Sequence, residues 1–75
     1  MSTGPQKHSL TLRGHRTSVT LEPAFWQAFR AIAAEKDMAI NVLAAQIDAS
    51  RDPETGLASA IRVYVLEHYR KAAGH

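Results

Sequence analysis

The spacing of apolar positions changes within one short stretch, "RGHRTSVTLEPAFWQAF", residues 13–29. Up to Leu21 the apolar residues alternate; from Phe25 they recur every three or four positions. Period two marks a strand with one covered face, and period 3.6 a helix with one covered stripe. The pattern predicts a strand at about 16–21, with Val19 and Leu21 inward and Arg16, Ser18 and Thr20 outward. A helix follows directly, over about 23–36. Pro23 suits its first turn, where the missing N–H would be unbonded anyway. Phe25, Phe29, Ile32 and Ala33 form one stripe, with Trp26 at its edge. Trp26 therefore reads as packed against the core rather than as a platform for a base. Phe25 and Phe29 follow Leu21 by four and eight residues, so strand and helix can share that core.

Upstream, "SLTL" repeats the alternation through Leu10 and Leu12. It either pairs with 16–21 or stays a flexible arm. A type II′ hairpin with Gly14 at its first turn position would set Leu12 against Thr17 and Leu10 against Val19. The same register would oppose Arg13 and Arg16, a like-charge pair that disfavours it. A hairpin would also widen the ribbon and hinder its insertion into a DNA groove. Residues 1–8 carry Gly4 and Pro5 without periodicity and are expected to be a disordered N-terminal arm, with 9–75 as one domain.

Downstream, "EKDMAIN" breaks the helix, and Asp37 is the residue able to end it in a left-handed conformation. A second helix over about 40–50 would turn Leu43, Ala44 and Ile47 inward. "RDPETG" is a loop. A third helix over about 57–71 holds Leu57, Ile61, Val63, Tyr64, Val65, Leu66 and Tyr69, which nearly encircle it. A helix apolar on every side is buried on every side, which in so small a chain implies another subunit. The predicted architecture is mainly α with one short β-strand. Val19, Leu21, Phe25, Phe29, Leu43, Ile47, Ile61 and Val65 would form the dimer core.

Composition sharpens this picture. A 75-residue chain buries only about 60% of its unfolded surface, so disulfides, a metal or a partner subunit usually help. There is no cysteine, and the four histidines show no metal-binding spacing on one helix, so neither metal nor cofactor is expected. Oligomerisation remains. The opening residues hold no apolar run, and no run approaches the roughly 20 residues of a membrane span. The chain is expected to be cytoplasmic, with no membrane partner.

The net charge of +2 is unevenly placed. Residues 1–21 hold Lys7, Arg13 and Arg16 and no acid, whereas residues 22–75 hold six bases against seven acids. A basic segment that a dimer would double suits phosphate. Enzyme chemistry is not expected. The four glycines stand apart, Ser9 and Ser18 near His8 and His15 read as strand polar residues, and Asp48, Asp52 and Glu54 flank a loop. Arg16, Ser18 and Thr20 instead suit base edges: Arg can grip guanine bidentately, and Ser and Thr donate or accept.

The order strand, helix, tight turn, helix resembles the ribbon-helix-helix fold of Arc/MetJ-type repressors. The resemblance rests on "RTSVTLEPAFWQAFRAIAAEKDMAINVLAAQI", with Leu21, Phe25, Phe29, Ile32, Met38 and Leu43 spaced like that family's core. The longer string through "LASAIRVYVLEHYR" is similar to small stand-alone bacterial members. The resemblance implies an intertwined homodimer with an intermolecular two-stranded antiparallel ribbon, to which this sequence adds a C-terminal helix. It implies double-stranded DNA as partner and transcriptional regulation as role. Arg16, Ser18 and Thr20 would read bases in the major groove. Ala39, Ile40 and Asn41 would offer helix amides to a phosphate, which Lys7 and Arg13 would supplement. The sequence departs from the family at Glu22, where proline is common, at Asp37 for glycine, at Ala39 for a capping residue, and in the third helix. A dimeric protein-interaction module without sequence-specific DNA binding is the alternative.

Overall fold

The computed structural model describes residues 4–74. Its elements run β1 (Gln6–Leu12), β2 (His15–Leu21), α1 (Pro23–Glu35), α2 (Ile40–Ser50) and α3 (Leu57–Ala72). The chain thus has two strands where the sequence predicted one. Residues 6–8 belong to β1, which corrects the disordered arm for those positions; residues 1–3 lie outside the described residues.

β1 and β2 form an antiparallel hairpin with Leu12 opposite His15, Leu10 opposite Thr17 and His8 opposite Val19. The turn is Arg13-Gly14, not Gly14-His15. Both residues have positive φ, 53° and 85°, the signature of a type I′ turn rather than type II′. Moving the turn by one residue slips the pairing by two, so each side chain keeps its face. The slip also lifts Arg13 out of the ladder and pairs Arg16 with Thr11, which removes the like-charge opposition. Gly14 holds its conformation without strain, whereas Arg13 carries a steric cost.

Leu10, Val19 and Leu21 point from the hairpin into a core with Phe29, Ile32, Ala33, Leu43, Ala44, Ile47, Ile61 and Val65. Leu21, Phe29, Ile32, Leu43 and Ile61 are the largest fully buried side chains. The residues assigned from sequence to a dimer core therefore meet within one chain, except Phe25, which is half-buried at the margin. The reason is topological: β1 and α3 close the two sides of a core that strand, α1 and α2 alone would leave open. Nor is α3 covered all round. Ile61 and Val65 are buried, while Val63, Leu66 and Tyr69 remain exposed.

Asp37 ends α1 as its chemistry suggests. It has φ 54°; its N–H bonds the Ala34 carbonyl and that of Met38 bonds the Ala33 carbonyl. This is the paired arrangement of a Schellman motif. It sets the angle at which α2 starts beside β1.

Candidate nucleic-acid interface

Period-two geometry gives the hairpin an inner and an outer face. The outer face carries Lys7, Ser9 and Thr11 from β1, opposite Thr20, Ser18 and Arg16 from β2. All six side chains are exposed, and none is acidic. The predicted readers Arg16, Ser18 and Thr20 thus share one open face. Lys7, which the sequence offered only as a phosphate contact, stands on the same face, and Ser9 and Thr11 join it. Those two were missed because their outward placement depends on β1 being a strand. The signal was present in "KHSLTL", whose alternation matches that of "RTSVTL".

Arg13 sits at the hairpin tip. Arg13, His15 and Arg16 line one side of an open cleft of about 500 Å³, with Asp48 and Arg51 opposite. Asp48 is already engaged by Arg51 at 2.7 Å. Arg51 also donates to the Thr55 carbonyl, and Asp52 accepts from the Glu54 N–H, so the acids of this loop hold the loop itself.

The start of α2 has no side-chain cap and no acid in its first turn. The N–H groups of Val42 and Leu43 bond the Ala39 carbonyl. No partner from the chain reaches those of Ile40 and Asn41 among the described residues, so this end keeps its positive character. Asn41 does more than the sequence suggested: its side-chain oxygen accepts the main-chain N–H of Thr11 at 3.1 Å. That bond sets the amino end of α2 against the outer edge of β1, close to Arg13.

Two further residues are engaged within the chain, Trp26 as its sequence reading expects and Glu22 through a partner that the sequence did not suggest. Glu22, unhelpful beside DNA as a free charge, is bonded by Arg62 at 2.8 Å. Its own main-chain N–H and then the Arg62 side chain lower its carboxyl below the ordinary carboxylate range. Trp26 is stacked under His8, ring centroids 3.8 Å apart and nearly parallel, which covers the face a base would use.

A family model described as a ribbon-helix-helix domain matches residues 5–69, most of the chain. The chain belongs to the ribbon-helix-helix family. No curated protein and no solved structure matches it. Ribbon-helix-helix domains are typical of DNA-binding transcription regulators, generally without enzymatic activity. In this ribbon-helix-helix chain the matched region includes β1 and most of α3, the two elements that close the core. Among the described residues, no helix is long and apolar enough to cross a membrane.

Proposed function

We propose that this protein is a homodimeric, cytoplasmic DNA-binding regulator that sets the outer face of its hairpin against the major groove. One observation carries the reading: Lys7, Ser9, Thr11, Arg16, Ser18 and Thr20 make an exposed face with cations and no acid. A two-stranded hairpin is narrow enough for the groove, whereas β1 flanking β2 would widen any ribbon built from two copies, which counts against deep insertion as the sequence reading expects. Arg16 is the residue able to grip a guanine, Ser18 and Thr20 are adaptable neighbours, and Lys7 and Arg13 suit the flanking phosphates. The amino end of α2, held beside Thr11 by Asn41, offers the amides of Ala39, Ile40 and Asn41 to a further phosphate. Neutralisation of Glu22 by Arg62 removes the nearest repulsive charge.

The test is binding to duplex DNA across a salt series, with Arg16→Ala and Arg16→Lys beside the wild type. Affinity should fall steeply with salt as counterions are released. Arg16→Ala should cost roughly 1–3 kcal/mol on the preferred site and relax one base position. Lys keeps the charge but not the planar fork, so Arg16→Lys should restore affinity without specificity. Wild-type affinity for every DNA in both variants would reject the hairpin as a reader.

A second reading, a dimeric module that binds a protein, is favoured by the exposed Val63, Leu66 and Tyr69 on α3. Its binding would be largely indifferent to salt.

A further inference from the structure

The cleft of about 500 Å³ at the hairpin tip lies where three elements end together. These are the turn between β1 and β2, the carboxyl end of α2 and the amino end of α3. Its volume falls in the range of roughly 300–1,000 Å³ typical of small-molecule sites. Arg13, Arg16 and Arg51 border it, against one acid, Asp48. Asp48 is spent on the Arg51 Nε at 2.7 Å, so the cleft keeps an excess of positive charge.

The positive groups come from each of the three elements. Arg51 donates from Nε to Asp48 and from Nη1 to the Thr55 carbonyl, both at 2.7 Å. Its Nη2 has no partner among the described residues. A guanidinium fixed in this way loses little freedom when it grips an anion. The side chains of Arg13 and Arg16 make no ion pair among the described residues. Arg13 stands at a left-handed position that Asn or Gly would fill with less strain, so a cation is kept there at a conformational cost. α3 starts without a side-chain cap and without an acid in its first turn. The N–H groups of Leu57, Ala58 and Ser59 find no acceptor among the described residues, and such a helix start favours an anion. The carboxyl end of α2 has the opposite sign, which Arg51 offsets from its C-cap position.

The cleft also has an apolar floor. Leu12 and Leu57, both half-buried, lie beside Ala45 and Ala49 of α2. The two alanines are one turn apart, so no long side chain from that face of α2 fills the space. A bare phosphate leaves this surface wet, whereas an anion with an apolar body covers it. We infer that the cleft binds a small carboxylate on an apolar body, such as an aryl acid. The carboxylate would lie among Arg13, Arg51 and the start of α3, and the body on Leu12, Ala49 and Leu57. Arg16 belongs to the outer face by the pleat and borders the cleft as well, so one guanidinium serves two surfaces. A bound carboxylate that recruits Arg16 takes it from DNA, and ligand and DNA then exclude each other. This last step rests on the DNA-binding reading; the site itself does not.

Benzoate is the probe, with benzyl alcohol as a similar body without the charge and acetate as the charge without the body. In the full chain, benzoate should move the backbone amide resonances of Arg13, Ala49, Leu57 and Ala58 saturably. Benzyl alcohol and acetate should bind about tenfold or more weakly. Ala49→Leu fills the floor without touching a charged group and should weaken benzoate by about tenfold or more. No saturation at tens of millimolar, an equal response to acetate, or Ala49→Leu binding benzoate like the wild type would each overturn the site. Duplex DNA that moves Ala49 and Leu57 where benzoate does not would make the cleft a phosphate seat and overturn it too. At ionic strength matched with chloride, saturating benzoate should weaken wild-type binding to duplex DNA by about tenfold, and that of Ala49→Leu no more than chloride does. Saturable benzoate binding with DNA affinity unchanged would overturn the exclusion and leave the DNA-binding reading standing. A chain that binds benzoate in the cleft but no DNA under any condition would do the reverse: site upheld, DNA reading lost.

Discussion

The side-chain oxygen of Asn41 accepts the main-chain N–H of Thr11 at 3.1 Å, joining two residues thirty positions apart. It satisfies an outward donor on β1 and holds the start of α2 beside the hairpin. Asn41→Ala should therefore release the Thr11 amide to exchange with solvent well before its neighbour Leu10. The global cost should be modest, about 0.5–1.5 kcal/mol, because the freed groups can find water. Hydrogen exchange followed residue by residue checks this. Unchanged protection at Thr11 would mean that the bond does not guard the edge.

His8 lies flat on Trp26, and its Nε2 is buried without a hydrogen-bond partner. An unsatisfied buried nitrogen costs about 1–3 kcal/mol, whereas the ring itself contributes stacking. His8→Phe keeps the ring and removes the nitrogen, so the melting temperature should rise. His8→Ala removes both and should lower it. A lower midpoint in His8→Phe would mean the nitrogen is paired in solution.

The bond between Glu22 and Arg62 makes part of the stability depend on pH. The Glu22 carboxyl lies below its ordinary value of 4.5 in the folded chain, through its own main-chain N–H first and Arg62 second. A lowered carboxyl adds stability that is fully present above the unfolded value and disappears as pH falls through the folded one. Urea unfolding of wild type and Glu22→Gln should accordingly differ at neutral pH and converge on acidification below 4.5. A constant difference down to strongly acidic pH would place the effect of Glu22 elsewhere.

Arg13 occupies a left-handed position, φ 53°, in the hairpin turn. Type I′ turns favour Asn followed by Gly, so Arg13→Asn should stabilise the hairpin by up to about 1 kcal/mol. The same change removes a cation from the tip. Thermal stability should rise while affinity for DNA falls at every sequence alike. If both fall together, the arginine holds the turn through contacts of its side chain.

Much of this architecture was legible because it is local. The stripe of Phe29, Ile32 and Ala33 and the inward set Leu43, Ala44 and Ile47 follow from periodicity, and all are buried. The outward placement of Arg16, Ser18 and Thr20 follows from the pleat once Val19 and Leu21 are inside. Asp37 could be picked as a helix terminator because few residues other than glycine tolerate a positive φ.

What the sequence left open is where distant segments meet. Whether "SLTL" pairs with "RTSVTL" is a choice between an arm and a strand that depends on a surface to cover, and Trp26, Asn41 and the core supply it. The turn settled at Arg13-Gly14 because tertiary contacts at His8 and Leu10 and relief of charge opposition outweigh the cost of a left-handed arginine. α3 shows the same division. Its apolar content was plain from composition, but one stripe is consumed inside the chain by Ile61 and Val65 while Val63, Leu66 and Tyr69 are left outside. Side-chain pattern fixes which residues must be covered. Only the packed chain decides what covers them, because burial is shared among elements that the sequence keeps far apart.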